Sequence, residues 1–339
     1  MTVVRRGAPA LLFLVVIGLL FAFGLPKLTG ANWRSVEDNL ELLTVLQLVL
    51  LVCFWLLGLY SHTFVATAAM PSLSHRRALA LNLSGSAVSN LLPLGGALGM
   101  GLTYAMVRSW GHARSAFASY TALTTFWNVA TKLALPVIAV GGLAVTGDLP
   151  TGYVTAAAVG ATGILVAVLL LGAAALLSER AARVAGDAAQ RVVDAGLRLR
   201  GSSRQVACTA SLLALCADLR VLLRRGWRRM VAGMTAYSLL QVTLLWLVLQ
   251  MFGSNLGVSA VFAGFAFGRL LSLLVLTPGG VGVADLGSAA LLVALGGEPG
   301  AVAAATLLYT AITFVLEIPV GGVCGLVWWR GPDRPRSAT

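Results

Sequence analysis

The chain has 339 residues, of which 58% are hydrophobic and 11% charged, with a mean hydropathy of +0.90. A soluble domain carries roughly 25% charged residues, so the composition excludes an ordinary water-soluble fold and points to a protein that lives in a bilayer. The formal charge of +12 rests almost wholly on arginine, Lys27 and Lys132 being the only lysines. In a membrane chain such an excess marks topology and contact with anionic lipid, and no nucleic-acid-binding motif accompanies it.

Apolar segments fall at about 8–26, 40–60, 78–107, 116–145, 152–177, 230–251, 258–297 and 300–328, most of them near the length of about 20 residues that crosses a hydrocarbon core. The first follows Arg5 and Arg6 without a clean A-x-A cleavage site, so it is expected to be a retained span and not a leader. Pro93, Gly95 and Gly96 interrupt segment 78–107, and Thr277-Pro-Gly-Gly-Val-Gly282 interrupts segment 258–297. Proline lacks an amide donor and glycine weakens helices, so each break should leave two half-helices joined by irregular backbone.

Charge indicates how the broken segments run. If each returns to the side it came from, as a re-entrant hairpin, then Arg5, Arg6, Arg76, Arg77, Arg108, Arg114, the stretch 178–229, Arg330, Arg334 and Arg336 share one face. The other face keeps Lys27 and Arg34, and the positive-inside rule makes the basic face cytoplasmic. The expected architecture is therefore an all-α polytopic membrane protein in a single integral membrane domain. It has about six full transmembrane helices plus two Pro/Gly-broken re-entrant helical hairpins. The stretch 178–229 carries eleven arginines against Glu179, Asp187, Asp194 and Asp218. Val184, Ala188, Val192, Ala195 and Leu199 recur there at helical spacing, and Arg183–Asp187–Arg191 and Asp194–Arg198 are i,i+4 pairs. It reads as a cytoplasmic amphipathic helix on anionic lipid or, equally, as a solvated connector.

The two halves, about 40–145 and 230–328, echo one another across the connecting region 152–229. Pro93-Leu-Gly-Gly96 is followed by Tyr120-Thr-Ala-Leu-Thr-Thr-Phe126, and Pro278-Gly-Gly280 by Tyr309-Thr-Ala-Ile-Thr-Phe314. Pro136 and Pro319 then recur in the final spans, each followed by Gly-Gly. Span, broken segment, span, with the breaks approaching from opposite sides, is an inverted repeat, a plan that sets a substrate site where the broken helices meet.

Irregular backbone at membrane depth survives only when buried in protein or lining a wet cavity. The amides freed after Gly96 and Gly280 can face a phosphate or carboxylate, and Ser84, Ser86, Ser89 and Asn90 precede the first break. Ionisable residues inside spans are functional candidates by default: Lys132, with Asn128 one turn before it, Arg269, Asp285 and Glu317. Arg269 is expected to pair with Asp285 near the site, and Glu317 to serve as a proton carrier. Trp33, Trp110, Trp227, Trp328 and Trp329 are expected at the interfaces. His62, His75 and His112 read as lying near loops, and Cys53, Cys208, Cys216 and Cys324 form no zinc pattern, so no metal or cofactor is expected. No nucleophile–base constellation and no Walker sequence is visible, which favours transport over catalysis.

Asn90-Leu-Leu-Pro-Leu-Gly-Gly-Ala-Leu-Gly-Met-Gly-Leu-Thr-Tyr104 with Arg108, and Thr277-Pro-Gly-Gly-Val-Gly-Val-Ala-Asp285 with Leu308-Tyr309, resemble the two glycine-rich motifs of the lysylphosphatidylglycerol synthase transmembrane region, a family also called flippase-like. The resemblance covers the chain from about the second span to the last. It implies a bundle with re-entrant helices acting on phospholipids, aminoacylated phospholipids or polyprenyl-linked lipids. It also implies site roles for Tyr104, Arg108, Thr277, Pro278, Gly279, Gly280, Gly282, Asp285 and Tyr309. Asp285 stands where the family usually has Glu, and Thr310 where it commonly has Arg, a place Arg269 is available to take. The aminoacyl-transferring domain of true synthases is not expected here. A lipid translocator is the favoured reading, with a scaffold that presents lipid to a separate lipid-modifying enzyme and a proton-coupled small-anion carrier as alternatives.

Overall fold

At membrane depth a backbone satisfies its own amides and carbonyls only by coiling into helices or closing a barrel, and this chain coils. The computed structural model describes residues 15–92, 95–146, 153–177, 179–199, 208–274 and 281–331, and every regular element among them is helical. Helix α1 (Val15–Thr29) turns through 102° into α2 (Trp33–Glu41). Gly30, at φ 75°, ends the first, and the Asn32 side chain caps the second by accepting from the Arg34 amide. Helix α3 (Val45–Ala69) opens on a capping box in which Thr44 accepts the Gln47 amide and the Gln47 side chain accepts the Thr44 amide. That cap places the second span later than the expected 40–60.

There follow α4 (His75–Leu91), α5 (Gly95–Ser109), α6 (Arg114–Thr146), α7 (Tyr153–Leu177), α8 (Glu179–Leu199) and α9 (Cys208–Met251). The chain closes with α10 (Val258–Leu271), α11 (Val283–Ala294) and α12 (Pro299–Arg330). Among the described residues α3, α6, α9 and α12 are long and apolar enough to cross a bilayer. Of the six full spans expected, these four are seen whole.

Helices α4 and α5 form an antiparallel hairpin. Arg77 lies over the Trp110 ring at its open end, 5.1 Å from the centroid. Gly85 faces Gly99 and Thr103 along the arms, and the Ser89 hydroxyl donates to the Gly95 carbonyl beside the turn at 3.2 Å. The arms of 17 and 15 residues measure about 25 and 22 Å at the helical rise, short of a hydrocarbon core of about 30 Å. Glycine makes the approach possible, because a Cβ on Gly99 would collide with the Gly85 carbonyl. Helices α10 and α11 repeat the arrangement, with Gly264 opposite Leu292, Gly268 opposite Ala284 and Ser288, and Gly287 opposite Phe267 and Leu271.

Helix α12 is the common reference for both hairpins. Near its C-terminus the Trp328 indole donates to the Ser109 hydroxyl at 2.9 Å, so the first hairpin opens toward that end. Trp328 is thereby buried, not the interfacial anchor expected. Near its N-terminus Val302 packs on Gly297, which follows the second hairpin, together with Leu256, which precedes it. The two hairpins therefore enter from opposite ends, and the described residues flanking their turns, Asn90 and Asp285 among them, come together beside the middle of α12. Helices α3 and α9 pack antiparallel, Gly58 against Tyr237 and Leu240, Gly233 against Phe64, Gly226 against Ala68. The first arm of each hairpin lies along the last helix of the other half, α4 on α12 and α10 on α6. The interior between these helices encloses Trp55, Leu249, Val261 and the small residues Ala303, Ala304 and Ala305, whose size lets backbones approach closely.

The same geometry segregates charge. Arg76, Arg77, Arg108 and Arg114 bracket the open end of the first hairpin. The antiparallel course of α9 brings Arg220, Arg224, Arg225, Arg228 and Arg229 to that end, where Arg229 donates to the Thr67 hydroxyl at 3.3 Å. The stretch 178–229 is thus not one connector. Its later arginines ride on α9, which runs on without interruption into the span 230–251. The expected Arg183–Asp187–Arg191 pairs of α8 are also replaced, while the Arg198 side chain, expected to meet Asp194, lies outside the described residues. Arg183 meets Glu179 at 3.4 Å, Asp187 faces α9 and accepts the Thr209 hydroxyl at 2.8 Å, and Asp194 accepts from Gln190 at 2.8 Å. His62 lies within α3, not near a loop. It is buried, with Nδ1 2.9 Å from the Asn82 amide nitrogen and its ring edge-on to Tyr237.

Candidate binding cavity

The inner ends of the hairpin arms, with α3, α9 and α12, line a partly open cavity of about 210 Å³. Its polar wall comes from Asn90 and Ser86 on α4, Arg269 on α10, Asp285 on α11, Tyr237 and Gln241 on α9, and Tyr309, Thr313 and Glu317 on α12. Trp55 and Leu59 of α3 and Phe265 supply an apolar wall.

Local sequence explains how these groups are held. Gly282 turns into α11 at φ 89°, a conformation that only glycine adopts without strain. Three residues on, the Asp285 carboxylate accepts the Gly282 amide at 3.0 Å. This is one half of a capping box, with negative charge at the positive end of the helix dipole. In α12 the backbone forms a π turn over Ala311–Val315, closed by the Leu316 amide on the Ala311 carbonyl at 2.8 Å. Pro319 has no amide to offer the Val315 carbonyl, so the regular ladder cannot run through this stretch. Such turns recur at functional sites, and this one separates Tyr309 from Glu317 on the cavity wall. Glu317 is buried and accepts the Asn90 side-chain amide at 3.1 Å, tying the middle of α12 to the tip of the first hairpin.

Arg269 differs from its neighbours. Its backbone carbonyl accepts the Ser272 hydroxyl at 2.7 Å, yet its guanidinium makes no hydrogen bond or ion pair with the described residues. The expected Arg269–Asp285 pair is therefore not formed, although both groups line one cavity. Asp285 is engaged by the Gly282 amide and Glu317 by Asn90, which leaves the N–H donors of the arginine unfilled. The first free amide at the head of α11, expected to face a ligand, is answered instead by the chain's own carboxylate.

Of the residues singled out in the sequence, Asn90, Arg269, Asp285, Tyr309 and Glu317 come together here, with Gly282 behind Asp285. Ser89 is turned to the Gly95 carbonyl, Gly95 is buried in the hairpin turn and Gly96 is exposed. Ser84 packs beside Gly325, away from the cavity. Tyr104 stacks on Phe117, ring centroids 5.2 Å apart, and Arg108 donates to the His112 carbonyl at 2.6 Å. Both lie toward the base of the hairpin, since an arm of 15 residues carries its far end about 20 Å from the turn. Asn128 and Lys132 are half-buried on α6 and do not line the cavity. Pro93, Thr277, Pro278, Gly279 and Gly280 lie outside the described residues. Sequence reasoning missed Tyr237, Gln241 and Trp55. The one available signal was Gln241, an amide in an otherwise apolar run, whose Nε2 donates to the Tyr237 hydroxyl at 3.1 Å. Among the described residues no cluster of His, Cys, Asp and Glu is arranged to hold a metal ion.

The family model of the lysylphosphatidylglycerol synthase TM region matches residues 10–321. No curated protein matches the chain.

Proposed function

The chain belongs to the lysylphosphatidylglycerol synthase TM-region family, a family of membrane proteins connected with lipid modification or transport, and from that premise we propose that it translocates a lipid with an anionic or lipid-linked head group. The head group passes through the cavity between the hairpin tips while the tails remain in the bilayer. The protein sits in the cytoplasmic membrane with its arginine-rich end toward the cytoplasm, as the positive-inside rule requires of so uneven a charge distribution.

The uncommitted guanidinium of Arg269 carries this reading. A planar group with five donors matches a phosphate or carboxylate in two-point contact. The two carboxylates that share its cavity accept from neutral amides, so its own N–H donors remain unfilled and open to an entering anion, and an arginine at membrane depth is a functional candidate by default. Hairpin arms shorter than a span set the cavity near mid-depth, where a translocation pathway needs its polar groups.

The test is head-group exposure in reconstituted vesicles carrying a fluorescent phosphatidylglycerol quenched from outside. Wild-type protein should expose inner-leaflet lipid. Arg269→Gln should slow that exposure by about 10- to 100-fold, the equivalent of a lost charge-assisted hydrogen bond of about 1.5–3 kcal/mol, with an unchanged gel-filtration profile. Equal rates for the two proteins would remove the reading.

A further inference from the structure

We propose that passage of the anion through this cavity is coupled to a proton carried on the Glu317 carboxyl. The inference rests on the cavity being an anion site, and it follows from the charges the cavity already holds. Arg269 faces two carboxylates, Asp285 and Glu317. A bound anion would set three negative groups against one positive in a low-dielectric interior, where unbalanced charge is strongly unfavourable. Protonating one carboxylate as the anion enters restores a balance close to that of the empty cavity.

Geometry selects which carboxylate takes the proton. Asp285 sits in the first turn of α11 and accepts the Gly282 backbone amide at 3.0 Å. A proton there would forfeit both a charge-assisted bond and the attraction of the helix terminus. Glu317 lies in α12 just past its π turn, and its partners are neutral side chains, the Asn90 amide at 3.1 Å and the Ser86 hydroxyl. A proton there weakens bonds from neutral side chains and none from the backbone. The Asn90 bond also joins separate elements. Asp285 ties the second hairpin to itself, whereas Glu317 ties α12 to the tip of the first hairpin, so its protonation loosens a contact between the two halves.

The groups facing Glu317 agree with this assignment. Arg269 from α10, Asp285 from α11, Tyr309 from its own helix and Tyr237 from α9 are the titratable ones, with His62 behind Tyr237. Helices α3 and α4 contribute only neutral side chains, among them Trp55, Ser86 and Asn90. The proton comes from water on one side of the membrane, rides on a Glu317 oxygen while the anion occupies the cavity, and leaves to water on the other side.

The experiment uses the full chain in vesicles with fluorescent phosphatidylglycerol in the membrane and a trapped pH dye. A gradient of about one pH unit is worth 1.36 kcal/mol per proton and should bias the leaflet distribution by about tenfold. Proton entry should accompany lipid movement. In Glu317→Gln the lipid distribution should be the same with and without the gradient. Lipid movement in the wild type that ignores the gradient and admits no protons would overturn the coupling and leave the translocator reading standing. Absence of lipid movement in the wild type would remove both. The wild-type gradient response decides the matter even where the glutamine variant fails to fold.

Discussion

Gly321→Val should cost this protein its folded bundle, while Gly322→Val one position later should leave it intact. Gly321 is buried where α12 crosses α4, and a Cβ there would strike the Leu83 carbonyl and the Ala87 methyl. A carbonyl oxygen inside a helix cannot swing aside as a side chain can, so the two helices would have to separate. Overpacking a closed core costs about 1–3 kcal/mol, occasionally more, and here it would also strain the bonds from Glu317 to Asn90 and from Trp328 to Ser109, which flank the crossing. Gly322 is exposed, and a Cβ there would have no neighbouring atom within 4 Å. Thermal stability in detergent, read as the monodisperse fraction on gel filtration after heating, should fall sharply for the first variant and match the wild type for the second. Equal stabilities would mean that the helices do not cross at Gly321.

Asp285 should show the second large effect, and two variants separate its roles. In Asp285→Ala the Gly282 amide loses its acceptor and α11 loses the charge at its first turn. A cap of this kind is worth about 0.5–2 kcal/mol, so stability should drop by that order, and lipid translocation should fail. In Asp285→Asn an amide oxygen can still accept from Gly282, so the hairpin keeps its turn and stability stays near wild type. The carboxylate that faces Arg269 across the cavity is nonetheless gone, and translocation should still be lost. Full transport by the asparagine variant in the vesicle assay would show that the charge of Asp285 is used for capping alone.

The outline of the fold was readable because breaks and charge constrain one another. Pro and Gly marked where helices stop, and the placement of arginine allowed only hairpins that return. The core of the site was readable for a related reason. Asn90, Arg269, Asp285, Tyr309 and Glu317 are costly in apolar segments and need a shared polar space. Other features were hidden by the same apolarity. A helix that is hydrophobic all round has no face to read, so nothing in α3 or α9 announced that Trp55, Tyr237 and Gln241 turn toward one cavity, or that His62 is enclosed behind them. Tyr104 and Arg108 share the first motif but not the cavity, because an arm of 15 residues carries them toward the hairpin base. The Arg269–Asp285 pairing failed because the sequence could not show that a backbone amide reaches the carboxylate first.

The exchange of arms between the halves, α4 against α12 and α10 against α6, means that neither half can close an interior from its own residues. A gene severed between residues 199 and 208 would therefore yield two mutually dependent polypeptides. Each alone would present a glycine-lined trough to lipid and be degraded, whereas co-expression should restore a complex that survives purification on a tag carried by either fragment.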